Sequence, residues 1–356
     1  MFPKIFSYAI KKRIDCDIDL YSMHECEKPY NDNTHVYSFS QFETNNSKEK
    51  YDALVIGGGE FLHFKPIEFL ENEIIMHYPV GYIWEKPLEM AISHNIPSFI
   101  NCVGAPFDFT VNQSVQLRNI LNYCKIIALR DEFSEKRIIA AGIDPVKVCL
   151  AADNLCLFNQ VYSLSELTNH KSELEKKCNS NFTIPYIVIQ YGTSYRIEEI
   201  VKQIKIIKQG YQGNIYLLPV NYCHDDKSFA DSIISNFSEG VYEIKEYLQP
   251  IDMMSIIAGA ECFLGTSLHG NLTAINYGVK TIGIDMYPSF VSKMDGIFSM
   301  FGIERYLVPT PEGIAAAFYE IESDESVVST TSKKLIEIQE ILNRYFDDLS
   351  RFIKEG

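Results

Sequence analysis

The feature that most constrains the fold is a recurring alternation: short apolar runs that end in glycine or an acid, separated by segments long enough for helices. Residues 51–56, YDALVI, run into Gly57-Gly58-Gly59, which reads as a buried strand leaving into a tight turn. IPSFINCVG, KIIALRD and VKVCLAAD repeat the pattern through the first half. Between them, 134–141 (SEKRIIAA) is helical in pattern and closes on Gly142, where glycine commonly ends a helix. Strands alternating with helices imply an α/β fold in which a parallel sheet is covered on both faces.

The alternation breaks over 159–183, NQVYSLSELTNHKSELEKKCNSNFT, a polar stretch with room for one helix and no strand signal. It restarts with YIVIQYG (186–192), a helical segment at 196–209, NIYLLPV (214–220), a helix near 250–259, AECFLGT (260–266) and KTIGID (280–285). A chain of 356 residues also exceeds the usual size of one hydrophobic core. The expected organisation is an N-terminal α/β domain over 1–165, a linker over 166–183 and a C-terminal α/β domain over 184–356. Two doubly wound, Rossmann-like domains would face a cleft, and the carboxyl ends of their strands are the first places to look for a ligand. The last segment, 333–354, is helical, with Leu335, Ile338, Ile341, Leu342, Tyr345 and Phe346 on one broad face. It is expected to dock back on the first domain.

Charge and cysteine usage narrow the partners. The formal net charge is −15, so a nucleic-acid duplex would meet a repulsive average field. The nine cysteines, at 16, 26, 102, 124, 149, 156, 178, 223 and 262, include no C-x-x-C pair and read as reduced thiols packed as small apolar side chains. No apolar run approaches the ~20 residues that span a bilayer. At the start, MFPKIFSYAIKKRIDCDID, the cations follow the apolar stretch, the reverse of a secretory signal. A cytoplasmic location is expected. Asp15-Cys16-Asp17 has D-x-D spacing but lies in a charged stretch with no apolar strand before it, and the histidines form no H-E-x-x-H or Cys/His cluster. Neither a metal nor a cofactor is expected.

The strongest candidate site is 260–278, AECFLGTSLHGNLTAINYG. A buried strand runs into small polar residues, then His269, Gly270 and a helix expected to open at Asn271. Unpaired N–H groups and the partial positive charge of a helix N-terminus suit an anion, Gly270 would let backbone approach a ligand, and a histidine at 269 could move protons near neutral pH. The same residues also read as a plain capping turn, in which Thr266 or Ser267 satisfies the helix start and His269 packs. Residue chemistry leaves both readings open. A serine nucleophile at Ser267 is disfavoured, because G-x-S-x is followed by His269 rather than glycine. Gly57-Gly58-Gly59 has Leu62 where a dinucleotide fingerprint needs its last glycine, yet it suits a cleft wall, with His63 just beyond. Arg130 ends the strand KIIALR, from which a guanidinium can clamp a phosphate or carboxylate or simply pair with Asp131 or Glu132. Asp153 and Asn154, again at a strand end, suit sugar hydroxyls or a turn.

In order, DALVIGGGEF, LRDEFSEKRIIAAGI, AADNLCLF, IVIQYG, IDMMSIIAGAECFLGTSLHGNLTAINYGVKTIGID and Lys293 before MFGI resemble the polysaccharide pyruvyl transferase family over roughly residues 51–310. The resemblance implies a fold similar to the two-domain glycosyltransferase B architecture. It also implies transfer of pyruvate from phosphoenolpyruvate, a donor substrate rather than a cofactor, to hydroxyls of a cell-envelope or exopolysaccharide sugar as a ketal. On it, His269 matches the family's acid/base histidine, and Arg130, Ser267, Leu268, Gly270 and Lys293 fall at donor-binding positions, with Gly57, Gly58, Gly59, Asp153 and Asn154 lining the cleft. A lipid-linked acceptor would bring such an enzyme to the inner membrane face. Many relatives have arginine immediately before Leu-His-Gly, where this chain has Ser267, and open with a strand and an N-x-G-D loop, where this chain starts at the helix-like FPKIFSYAIKKR. Either the start is truncated or the first strand is absent. Two alternatives stand beside the leading one: a sugar-nucleotide-dependent glycosyltransferase of similar fold, and a non-catalytic saccharide-binding protein.

Overall fold

A computed structural model describes residues 2–23, 35–44, 51–71, 74–78, 81–192, 196–221, 226–285 and 293–355. Its contacts divide the chain into a first unit (Met1–Glu68, Ile75–Asn154 and Ile338–Gly356) and a second (Phe69–Ile74 and Leu155–Glu337).

The first part of the chain gives, in order, α1 (Phe2–Lys11), β1 (Leu20–Ser22), β2 (Val36–Ser38), α2 (Phe39–Thr44), β3 (Leu54–Gly57), β4 (Ile67–Glu71), β5 (Ile74–Tyr78), α3 (Gly81–Ser93), β6 (Ser98–Val103), α4 (Val111–Leu121), β7 (Cys124–Leu129), α5 (Glu132–Ala140) and β8 (Val148–Leu150). Strands β3, β6, β7 and β8 pair side by side in that order, all parallel. Strands β1 and β2 form a separate parallel pair, and β4 and β5 a two-stranded sheet. The four-stranded sheet is apolar because it is covered: Ile100, Val103, Ile127 and Leu129 pack with Trp84 and Leu88 of α3, Leu117 and Leu121 of α4 and Ile138 of α5. Each such side chain contributes about 1.5–3 kcal/mol on burial.

From Leu155 onward come α6 (Phe158–Val161), α7 (Leu164–Lys177), β9 (Tyr186–Gln190), α8 (Ile197–Gly210), β10 (Asn214–Leu217), α9 (Asp226–Ile234), β11 (Val241–Glu243), α10 (Pro250–Ala258), β12 (Cys262–Gly265), α11 (Leu268–Asn276), β13 (Lys280–Ile284), α12 (Lys293–Phe301), β14 (Leu307–Val308), α13 (Ile314–Ser323) and α14 (Val327–Glu355). Six parallel strands lie in the order β11-β10-β9-β12-β13-β14. Numbered from β9, this is 3-2-1-4-5-6, the order of a dinucleotide-type Rossmann domain, whose strand order reverses between its first and fourth strands. Here those are β9 and β12, with Gln190 opposite Gly265 at their carboxyl ends. The α/β class and the Rossmann-like construction expected from the alternation are therefore observed.

The segment expected as a linker, 166–183, is mostly the helix α7 of the second unit, and the change of unit falls at Asn154/Leu155. Its start is encoded by a capping box: Ser163 Oγ accepts the Glu166 N–H, and the Glu166 carboxylate accepts the Ser163 N–H at 2.7 Å. The polar sequence reflects a helix that buries only Leu167 and Leu174. It is fixed to α10 by His170 and Lys177, whose ring Nε2 and Nζ lie 2.6 and 2.8 Å from the two oxygens of Asp252. The final helix begins earlier than the pattern indicates, and from Ile338 onward it belongs to the first unit. There Phe346 meets Phe6 of α1 with ring centroids 6.0 Å apart, and Arg13 Nε donates to Asp347 at 2.6 Å. Ile341 sits at the edge of the apolar face, 37% exposed.

Candidate functional site

The turn between β12 and α11 sits at the strand-order reversal of the second unit. The helix opens three residues earlier than the sequence indicated. Ser267 is the N-cap, its Oγ accepting the Gly270 N–H at 3.2 Å, so Leu268, His269 and Gly270 already form the first helical turn. Leu268 is buried and anchors the turn, Ser267 is half-buried, and His269 is exposed. The space of a side chain at Gly270 is filled by the ring of Phe263, so the glycine lets α11 lie close on β12. Lys293 is exposed as the first residue of α12.

Both sides of the Ser267 peptide are held. Gln190 Oε1 accepts the Ser267 N–H at 2.8 Å and the Thr266 hydroxyl at 3.1 Å. Asn271 Nδ2 donates to the Ser267 carbonyl at 2.8 Å and to the Gly265 carbonyl at 3.1 Å, while its Oδ1 accepts the Thr281 hydroxyl at 2.6 Å. Gln190 in turn donates from Nε2 to Asp226 Oδ2 at 2.9 Å, and that oxygen also accepts the N–H groups of Val220 and Asn221. Gln190, Asp226 and Asn271 are all buried. Sequence reasoning did not single them out. The available signal was Gln190 itself, a polar residue closing the otherwise apolar strand YIVI.

In the first unit, the turn between β7 and α5 is built on the same plan, with Asp131 as N-cap accepting the Ser134 N–H at 2.7 Å. Arg130 precedes it, and it is not the open anion clamp that its strand-end position suggested. It is 2% exposed, packs flat on Gly104, and donates from Nη2 to Glu60 at 2.8 Å. Asp131 and Asp153 stand 3.5 and 3.8 Å from its other nitrogens. A buried guanidinium requires counter-charge, and three carboxylates around one cation leave this cluster net negative. Asp153 and Asn154 are themselves buried rather than presented to solvent.

Gly58 and Gly59 have φ of +83° and +86°, a backbone that side-chain-bearing residues rarely adopt, which accounts for the glycine run after β3. A side chain at Gly57 would strike Asn101, and one at Gly58 would strike Phe2. His63 is buried under Phe107, its Nδ1 accepting the Lys65 N–H at 3.1 Å, and burial lowers its pKa below the usual imidazole value. Cys102, Cys124, Cys156, Cys178 and Cys262 are buried and Cys16 and Cys149 partly so, all as free thiols; burial pushes Cys124 up to about 12. Cys26 and Cys223 lie outside the described residues. Among the described residues, no group of His, Cys, Asp and Glu is arranged to hold a metal ion, and no helix is long and apolar enough to cross a membrane.

Solved structures similar to the chain share its fold at low identity. The UDP-GlcNAc 2-epimerase of Methanocaldococcus jannaschii, in complex with UDP-GlcNAc and UDP, superposes with a TM-score of 0.58 at 12% identity, covering 99% of this chain and 96% of its own. The UDP-GlcNAc 2-epimerase of Neisseria meningitidis bound to UDP-GlcNAc gives 0.56 at 12%, covering 86% and 80%. Anabaena HepE in complex with UDP and glucose gives 0.54 at 10%, covering 91% and 87%. These are glycosyltransferase B type folds with two Rossmann-like domains, the architecture that the sequence resemblance implied. No curated protein sequence matches the chain. The model of one family, polysaccharide pyruvyl transferase, matches residues 5–286, most of the chain. The chain therefore belongs to the polysaccharide pyruvyl transferase family of transferases.

Proposed function

We propose that the protein transfers a pyruvyl group from phosphoenolpyruvate to two hydroxyls of a cell-envelope or exopolysaccharide saccharide, forming a ketal. The observation that carries this reading is the placement of His269: exposed on the first turn of α11, at the strand-order reversal where Rossmann domains take their ligands, in a turn clamped on both sides. The chemistry needs a proton delivered to the methylene carbon of the enol phosphate. His269 gives that proton, the methylene becomes a methyl, and the positive charge that develops on the neighbouring carbon is captured by a saccharide hydroxyl, which loses its proton. Departure of inorganic phosphate with its bonding electrons regenerates the cationic carbon. A second hydroxyl then closes the ketal and releases another proton. The N-terminal dipole of α11 favours the donor's anionic groups. Phosphate release from phosphoenolpyruvate by the purified protein tests the reading, with candidate oligosaccharides as acceptors. Acceptor-dependent release is expected, and no release above a His269→Ala control with any acceptor would contradict it. The lipid-linked acceptor and the cytoplasmic location belong to this proposal, since the phosphoenolpyruvate it uses is a cytoplasmic metabolite.

A second reading, sugar-nucleotide-dependent glycosyl transfer, is favoured by one observation: the turn carries Ser267 rather than a cation, and Arg130 is already committed to carboxylates. Thermal-shift measurements separate the two. Stabilisation by a uridine diphosphate and not by phosphoenolpyruvate selects the second reading; the converse selects the first.

A further inference from the structure

We propose that Gln190 is the positioning residue for His269, and that Asp226 fixes the direction in which its amide acts. The inference rests on the role of His269 given above. A primary amide has one donor end and one acceptor end. Asp226 Oδ2 already accepts two backbone N–H groups, so it acts as an acceptor and Gln190 turns Nε2 toward it, at 2.9 Å. That leaves Oε1 facing Thr266 and Ser267, where it takes one hydroxyl and one backbone N–H. The flipped amide would set its lone pairs against the carboxylate and its NH2 against the Ser267 N–H. Asp226 is itself held by the N–H groups of Val220 and Asn221 just past β10. One buried chain of hydrogen bonds thus ties the carboxyl ends of β10, β9 and β12 to the residue two positions before His269.

The crevice leaves no slack for this pair. Gln190 is 3% exposed and Asp226 2% exposed. A side chain at Gly192 would come within 2.8 Å of Asp226 Oδ1 and 3.2 Å of Gln190 Nε2. With the Ser267 carbonyl fixed by Asn271 on the other side, the Gln190 contact decides where the first turn of α11, and hence the imidazole, stands.

The test compares Gln190→Ala with Gln190→Glu across pH, in the full chain, by steady-state phosphate release from phosphoenolpyruvate. Gln190→Ala is expected to lower kcat by about a hundred-fold, the usual cost of a small misplacement of a reacting group, with KM changed far less. Gln190→Glu sets two carboxylates face to face and is expected to be similarly impaired. Lowering the pH puts one proton between the two carboxylates of Gln190→Glu; the acid at 190 then donates to Asp226 Oδ2 as the amide did, while its other oxygen accepts from Ser267, so most of the rate lost relative to wild type at the same pH returns. Rate unchanged in Gln190→Ala, or a Gln190→Glu protein that regains thermal stability at low pH without regaining kcat, would overturn the proposal. Should the wild-type protein release no phosphate, the pyruvyl-transfer reading fails on its own. The positioning role is then read from the NMR titration of the His269 ring. A titration displaced by Gln190→Ala supports the role, and one that stays unchanged contradicts it.

Discussion

The β7–α5 turn of the first unit and the β12–α11 turn of the second use the same local plan for opposite ends. In each, a strand ends, one residue intervenes, and a polar side chain caps the third N–H of the following helix: Asp131 for Ser134, Ser267 for Gly270. The intervening residue is Arg130 in one turn and Thr266 in the other. The second helical residue is half-buried Phe133 in one and exposed His269 in the other. Around Arg130 the contacting groups are carboxylates, with Glu60, Asp131 and Asp153 about one guanidinium. Around Thr266 and Ser267 the contacting groups are the neutral amides of Gln190 and Asn271. A strand-end turn stabilised by a closed ion cluster has its charge already spent. A turn held by neutral amides adds no counter-charge at its helix N-terminus and carries His269 on an exposed first turn.

The sheets differ in the same direction. In the second unit β9 pairs on both sides, with β10 and β12, so the reversal point lies inside one continuous sheet. Among the described residues of the first unit, no strand pairs with both β1 and β3. The strand-order reversal described above belongs to the unit that carries His269.

The only tryptophan, Trp84, is fully buried in the core of the first unit, so its fluorescence reports that unit while circular dichroism reports both. The largest effect is expected from Arg130→Ala, which strips the buried carboxylates of their cation. It should cost about 3–5 kcal/mol and lower the denaturant midpoint seen by Trp84. A midpoint that does not move would mean that the cluster is not the closed ion pair described. Next comes Gly270→Ala. Its methyl group would enter the Phe263 ring, costing about 1–3 kcal/mol and outweighing the ~1 kcal/mol gained by a better helix former. This loss should show in circular dichroism and leave the Trp84 transition in place. The smallest are the caps: Asp131→Ala and Ser267→Ala should each cost about 1 kcal/mol. Asp131→Ala is expected to move the Trp84 transition and Ser267→Ala to spare it; equal shifts of that transition by both would erase the distinction between the turns.

What could be read from the sequence was whatever periodicity and local chemistry encode. YIVIQYG, AECFLGT and KIIALR are apolar runs bounded by glycine or acid, and each is a strand where the pattern put it. The three-residue strands β1 and β2 are too short to show a period, and β4 and β5 carry no turn signal that sets them apart. The start of α11 was misplaced because Ser267 and Leu268 look like loop until the Ser267 cap is seen. The site followed the same rule. His269 announces itself by its place in a strand-to-helix turn, whereas Gln190 acts through Asp226, 36 positions away, and Arg130 is neutralised by Glu60, 70 positions away. Contacts at such separations leave no local pattern.

The most direct test of the central claim, that the His269 turn is the reaction centre, is the rate of acceptor-dependent phosphate release from phosphoenolpyruvate by His269→Ala. It should be measured at a temperature where its Trp84 and circular dichroism signals match those of the wild type. A loss of about 10²–10⁴-fold is expected, the range that positioned proton transfer supplies. A His269→Ala protein that releases phosphate at the wild-type rate would contradict it.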